Sequence, residues 1–391
     1  MKSNYKRLGE YIHKVDERNK AYNTNLQGLS MSKEYRSSTS NIVGTDLSAY
    51  KVMRKNRFVC DFMSVIRVYK LPVVLHKSDD IAIVSPAYTT FEINDISILL
   101  PEYLMLWFRR SEFDRYAFFK CDSAIRGGFD WGALCDCLLP IPSLAEQQKI
   151  VDAYNTFERR IDLKRKINDN LVEQLRYDLL KLFNSNMATF DYVPNGWSLA
   201  SIGTYCDIKS GYAFKSEWWQ DNGIKVIKIA NIRDLTIDLY NCSCVSKENA
   251  DKATQFTAQA GDVLIAMTGA TVGKFGIVPY IKFPLRVNQR VGKFFLGDEP
   301  VSRASFLLAT LLQKEIIKQL QPDGETGSAQ DNLSPDDIRN IQIILPPKEI
   351  IDCFNQIHAI MLKQMMLNFS EMPLLKKVQS SLLRTMSYRS I

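Results

Sequence analysis

Histidine is nearly missing from this chain: His13, His76 and His358 are its only three in 391 residues. A histidine-based nucleophilic triad or a multi-histidine metal site has too little material, and His358 falls in a helical stripe that suits a structural role. The eight cysteines are scattered. Their close pairs, Cys135/Cys137 and Cys242/Cys244, are C-x-C spacings with no second pair or histidine set to complete a zinc site, so free, mostly buried thiols are expected. No run reaches the roughly 18 uninterrupted apolar residues of a membrane span, and the basic start, Met1 to Arg7, has no apolar segment behind it. A cytoplasmic protein is the expectation. The chain also lacks a G-x-x-x-x-G-K-[ST] phosphate loop and a G-x-G-x-x-G turn after a strand, which removes the motor and dehydrogenase readings. Finally, it has no Asn- or Asp-Pro-Pro-Tyr tetrapeptide of the kind that holds a flipped base; its one Pro-Pro, Pro346-Pro347, starts a helix. No catalytic residue and no metal ligand is nominated.

What is present is a soluble-type composition, 46% apolar, with a formal charge of +7. That charge permits nucleic acid without requiring it. Its distribution is more telling. Lys51, Arg54, Lys55, Arg57, Arg67 and Lys70 crowd one stretch against a single acid, Asp61, and a second set, from Lys225 to Lys293, surrounds predicted strands. A solvated basic face is the competing account of either cluster.

The chain also repeats itself. Leu139 to Val151 reads L-P-I-P-S-L-A-E-Q-Q-K-I-V and Ile344 to Ile351 reads I-L-P-P-K-E-I-I, two proline turns that each launch a long amphipathic helix. Aligning Pro142 with Pro347 gives an offset of about 205 residues, which also carries Asn56-Arg57-Phe58-Val59 onto Gly261-Asp262-Val263-Leu264. Ser143 and Glu146 form an S-x-x-E capping box at the first helix, and Ile150, Tyr154, Phe157, Ile161, Ile167, Leu171, Leu175, Leu179 and Leu182 recur at helical spacing. In the second helix the stripe is Ile350, Phe354, Ile357, Met361, Met365, Leu375, Val378 and Leu382, and Pro373 predicts a kink or restart near Ser370. The expected class is α+β: two α/β globules joined by two long antiparallel, coiled-coil helices, with an internal pseudo-twofold. Expected bounds are 1–142 and 189–346 for the globules, and 143–188 and 347–391 for the helices. A rod of some 40 residues spans roughly 60 Å.

The one glycine-rich signal is Thr268-Gly269-Ala270-Thr271-Val272-Gly273-Lys274, directly after a predicted buried strand. Small residues there let a partner approach the backbone, and the hydroxyls and Lys274 can donate to phosphate, although glycine turns after strands are common. Together with Leu139–Val151, Gly211-Tyr212-Ala213-Phe214-Lys215-Ser216 and Val287-Asn288-Gln289-Arg290-Val291, it makes the chain resemble the specificity subunit of type I restriction-modification systems. The order and spacing of these segments cover essentially the whole chain.

That resemblance implies two target-recognition domains, each reading half of a split double-stranded DNA sequence, with a helical spacer setting the gap. It implies docking of two modification (methyltransferase) subunits that bind S-adenosylmethionine and methylate adenine, possible attachment of a restriction (translocase and endonuclease) subunit, and no cofactor in this chain. In such a complex this chain is a non-catalytic subunit of an enzyme. Phosphate contacts position a protein whereas base-edge contacts specify, and amides pair with adenine as Arg does with guanine. Lys215, Lys228, Thr271 and Lys274 are therefore assigned to the backbone, with Thr268 beside them. Asn231, Arg233, Asn288, Gln289, Arg290, Ser328 and Gln330 are candidate base readers, and Tyr212 and Phe214 can stack or pack in the core. The first globule lacks the G-Y-A-F and T-G-x-T-x-G segments, carrying Met63 to Tyr69 at the latter's place, so Arg36, Lys51, Arg54, Lys55, Arg67 and Arg126 are its candidates. Glu146, Gln147, Gln148, Ile150, Phe157, Phe354 and Ile357 are the expected docking residues. Two other readings stay open: a coiled-coil scaffold that does not bind DNA, and the recognition part of a fused restriction-methylation enzyme.

Overall fold

The structure is a computed structural model that describes residues 5–21, 23–37, 45–121, 128–320 and 332–386. The chain divides into two units, residues 1–160 with 376–391, and residues 161–375. The division falls inside both long helices instead of at their heads, because each helix buries successive stretches of its apolar stripe on different cores.

In the first unit, short β-branched and aromatic runs build an antiparallel sheet of four strands in the order Ile12–Val15, Thr89–Ile93, Phe58–Cys60, Val73–Leu75. Phe58 and Phe91 face each other across it with stacked rings 4.9 Å apart, and Phe108 from the helix Pro101–Phe108 meets both edge-on. Such aromatic pairs add to burial energy beyond their area. A strand at the chain's start, Tyr5–Arg7, pairs with Leu138–Pro140, the strand that ends at the first proline turn.

The second unit repeats this plan. Asp207–Ser210, Val291–Phe295, Val263–Ala266 and Phe275–Ile277 lie in the same order, and Leu235–Ile237 and Ile232–Arg233 extend the sheet to six strands. Phe58 and Val263, related by the offset of about 205 residues, each begin the equivalent strand. Ser198–Ser201 pairs with Gln342–Leu345 at the second proline turn. A further sheet, Ser243–Val245, Ile224–Ile227, Leu285–Val287 and Thr257–Ala258, is attached to this unit. It contains one parallel pairing, Ile224–Ile227 with Leu285–Val287.

The long helices are Leu144–Ser185 and Lys348–Thr385. Ser143 caps the first as expected: its Oγ donates to Glu146 Oε2 at 3.0 Å and accepts from the Glu146 amide at 3.4 Å. Within the second unit the helices pair antiparallel, through His358 Nε2 to Asp178 Oδ2 at 3.0 Å, Asn368 Nδ2 to Asn168 Oδ1 at 2.7 Å and Lys164 to Glu371 at 2.7 Å. Within the first unit, Gln379 donates to Glu158.

Several expected stripe positions shift. Ile167 is 44% exposed while its neighbour Asn168 is buried, and Ile357 is 62% exposed while His358 is buried against Phe354. The seam follows the partner helix and its polar pairs, which a count of apolar spacing does not register. The helix also runs through Pro373 without the expected restart. Proline removes one hydrogen bond, and the pairing of Glu371 with Lys164 and the burial of Leu375 hold the flanking turns.

Among the candidate docking residues, Gln147, Ile150 and Phe354 are buried. Gln147 accepts from the Leu100 amide and donates to the Ile98 and Pro142 carbonyls, fixing the helix head to its own globule. Ile150 and Phe354 belong to the two cores. Phe157 is half-buried, and Glu146, Gln148 and Ile357 remain exposed. No helix among the described residues is long and apolar enough to cross a membrane.

Candidate nucleic-acid interface

At one end of the second unit's sheets, five loops are laced by backbone hydrogen bonds. The Tyr212 amide donates to the Val287 carbonyl (2.8 Å), the Gln289 amide to Tyr212 (2.9 Å), the Asn288 amide to Ile227 (3.0 Å), the Met267 amide to Arg290 (3.0 Å) and the Leu333 amide to Met267 (2.8 Å). The close approach depends on Gly211, where a Cβ would lie 2.2 Å from the Val287 carbonyl oxygen. The glycine turn Gly269–Thr271 packs on Ile229–Asn231, and Gly269 has the positive φ of 77° that favours glycine. The Gly273 amide then returns to Ala266, leading into the strand Phe275–Ile277.

This lacing leaves a defined set of side chains outward. Gln289 and Arg290 are exposed, and Arg290 has no ion pair among the described residues. Lys274 is exposed and 3.5 Å from the open carboxylate of Asp234, and Thr271 is half-buried beside it. The Thr268 hydroxyl is buried with no hydrogen-bond partner among the described residues. Lys215 is exposed above Trp218. Lys228 lies 3.4 Å above the Trp219 ring and donates to Ser243 Oγ at 2.9 Å, and burial lowers its pKa from the ordinary lysine value.

Asn231 and Phe214 serve the fold. Asn231 is buried; its Oδ1 accepts from the Lys228 amide and its Nδ2 donates to Asp238, which makes it a cap and removes it from base reading. Phe214 is buried in an aromatic cluster with Tyr212, Trp218, Trp219 and Phe256. Tyr212 is half-buried, its ring stacked on Trp218. Asn288 uses its Oδ1 to accept from the Arg290 amide and so shapes the turn, and Arg233 is 3.8 Å from Asp238. Ser328, Gln330 and Arg126 lie outside the described residues. The tryptophan pair Trp218-Trp219, three residues beyond Lys215, escaped the reading of the sequence; two adjacent indoles after G-Y-A-F were the available signal.

In the first unit the basic stretch is internally neutralised from Lys51 to Arg57. Arg57 is buried between Glu17 (2.9 Å) and Glu92 (2.7 Å), Arg54 pairs with Glu17 at 2.6 Å, Lys55 with Asp79 at 2.9 Å, and Lys51 donates to the Tyr88 carbonyl and lies 3.7 Å from Asp16. The hydrogen bonds from Arg54, and with them Arg57, hold the Glu17 carboxyl below its ordinary range. The acids lie outside the stretch in sequence, with Glu92 on the strand Thr89–Ile93 and Asp16, Glu17 and Asp79 in loops, so the single local acid, Asp61, was misleading. Arg36 is exposed, with its Nε donating to the Leu29 carbonyl, and Arg67 is exposed without an ion pair among the described residues.

Residues 194–372 match the family model described as the type I restriction modification DNA specificity domain. The specificity subunit of the type I restriction enzyme MjaVIII of Methanocaldococcus jannaschii is 26% identical over 225 residues, covering 54% of this chain and 52% of that protein. The HindI specificity subunit of Haemophilus influenzae is 23% identical over 347 residues, 70% of this chain and 73% of that one. The chain thus spans about half the length of the Methanocaldococcus relative. The crystal structure of a type I restriction-modification S subunit from M. genitalium aligns over 98% of this chain and 95% of its own with a TM-score of 0.54 and 14% identity, a likeness of fold.

Proposed function

We propose that the chain, whose residues 194–372 match the type I restriction modification DNA specificity domain and which is similar to specificity subunits of such systems, is the sequence-reading subunit of such a system. It recognises a bipartite double-stranded target and directs adenine methylation and restriction by partner subunits. The observation that carries the reading is the presentation of Gln289 and Arg290 on a turn pinned to the glycine loop that bears Thr271 and Lys274, all inside the matched domain. An Arg and an amide that reach base edges can specify, while lysines and hydroxyls beside them hold phosphates.

In this reading the chain does no chemistry of its own and works in the cytoplasm. Two methyltransferase subunits supply the S-adenosylmethionine site, and a restriction subunit can join them. The exposed residues Glu146, Gln148 and Ile357 are the remaining docking candidates, and the length of the helical segment between the halves sets the gap in the target. Sequencing of methylated adenines in cells with and without the chain tests the proposal. A bipartite motif that appears with the chain supports it, and an unchanged methylation pattern defeats it. Binding by the assembled complex should also weaken steeply with salt, as counterion release requires.

A further inference from the structure

Between Phe58–Cys60 and Val73–Leu75 the first unit has no glycine, hydroxyl and lysine turn of the kind that joins the equivalent strands of the second. In its place stands a loop braced from below and apolar on top. Asp61 accepts from the Met63 amide (3.0 Å), the Ser64 amide (3.3 Å) and Ser64 Oγ (2.5 Å), and Val65 is fully buried. One helical turn, Val65–Val68, ends at Tyr69 in the left-handed conformation with φ 56°, its ring edge-on to Phe118 at 4.6 Å. Above this brace Met63, Ile66 and Tyr69 are 66%, 53% and 63% exposed. Single exposed apolar residues are ordinary, whereas three large ones on one anchored turn mark a contact surface.

The surface has a cationic border. Arg67 and Lys70 are exposed and have no ion pair among the described residues. The acids that this segment touches are engaged: Asp61 within the brace, and Asp114 with Lys33 at 2.7 Å and the Leu71 amide at 3.3 Å. An apolar tip bordered by unpaired cations matches a polyanion that displays methyl groups. The major groove of DNA does so wherever thymine presents its C5-methyl.

We propose, on the basis of the DNA-reading function given above, that this loop reads the first unit's half-site by apolar contact. Met63, Ile66 and Tyr69 pack on base edges that include at least one thymine methyl, and Arg67 and Lys70 hold the adjoining phosphates. The two halves of the chain then read DNA with different chemistry, polar in the second and apolar in the first.

The test uses the full chain in complex with its methyltransferase and duplexes carrying its methylated target, with deoxyuridine replacing thymine in one half-site at a time. Wild-type affinity should fall about fourfold for each contacted methyl lost, from about 0.8 kcal/mol per buried methylene-sized group. The variant Met63→Gln/Ile66→Gln/Tyr69→Asn, in which asparagine tolerates the left-handed backbone, should keep its melting temperature and its second-unit half-site. It should also lose the distinction between thymine and deoxyuridine in the other half-site. An unaltered distinction in the variant overturns the inference. So does a variant that reads both half-sites normally but releases the methyltransferase, which would make the patch a protein-docking surface. A wild-type complex with no bipartite target would instead overturn the underlying DNA-reading proposal, a result separable from either.

Discussion

Two loops at the same place in a repeated sheet show how differently one backbone plan can be finished. Between Val263–Ala266 and Phe275–Ile277 the chain runs through glycines, hydroxyls and Lys274, packed on Ile229–Asn231. Between Phe58–Cys60 and Val73–Leu75 it runs through Met63, Ile66 and Tyr69 on an Asp61 brace. The strands themselves stay alike because their side chains fill a close-packed core, where a change of even one methylene is felt. The loops project outward, so their chemistry is free to diverge. Charge differs as well. The first unit pairs Arg54, Arg57 and Lys55 internally and leaves Arg67 and Lys70 beside its apolar loop without an ion pair among the described residues, whereas in the second unit it is Arg290, on a polar turn, that has none.

The comparison can be broken most forcefully at Gly211. Replacing it by Val drives a side chain into the Val287 carbonyl and should cost about 3 kcal/mol as overpacking. A lower-temperature unfolding transition confined to the second unit, read by hydrogen exchange, is the expected outcome; uniform loss of protection in both units would refute the separation. Next comes the buried asparagine pair. Asn368→Leu alone strands Asn168 and should destabilise by about 1–3 kcal/mol, with much of that recovered in Asn168→Leu/Asn368→Leu, measured by denaturant titration.

Two smaller changes sharpen the contrast in charge. Arg290→Ala should relax one half-site of the target at a cost of about 1–3 kcal/mol if it reads a base. Arg54→Ala in the first unit should leave the target unchanged, because it removes an exposed ion pair worth less than about 1 kcal/mol; methylome sequencing separates the two. The smallest effect is on pH dependence. Burial acts to raise the Asp178 carboxyl, but hydrogen bonds from His358 and Gln174 outweigh it and leave its pKa lowered. A depressed acid stabilises the fold above its unfolded pKa and loses that contribution as pH falls through the folded one. Asp178→Asn should therefore flatten the acid side of the second unit's stability curve, and an unchanged curve would show that the pair carries none of it.

The repeat, the proline turns and the capped first helix were legible in the sequence because each is a local pattern: Ser143 and Glu146 lie one turn apart, and Phe58 and Val263 carry the same offset. Arg57 was misread because its partners, Glu17 and Glu92, lie 40 and 35 residues away. Asn231 looked like a free amide and proved to be a cap, since its acceptor role depends on how the chain turns back to Lys228. Ile167 and Ile357 matched the helical period yet face outward, because the seam is chosen by the opposing helix. The candidate readers Gln289 and Arg290 were recognised by motif, and their presentation depends on the Tyr212 and Met267 backbone, which no local pattern records.

The asparagine pair across the long helices bears on how such a chain can change length. Asn368 Nδ2 donates to Asn168 Oδ1 while Asn168 Nδ2 donates to the Met365 carbonyl, a set of bonds that exists in a single register, and sliding either helix by a turn would set an amide against apolar neighbours. Growth or shortening of one helix beyond that point therefore has to be matched in the other. Viable insertions that lengthen one helix should come with a matching insertion in the other, before the asparagine in one helix and after it in the other, and solitary ones should be rare.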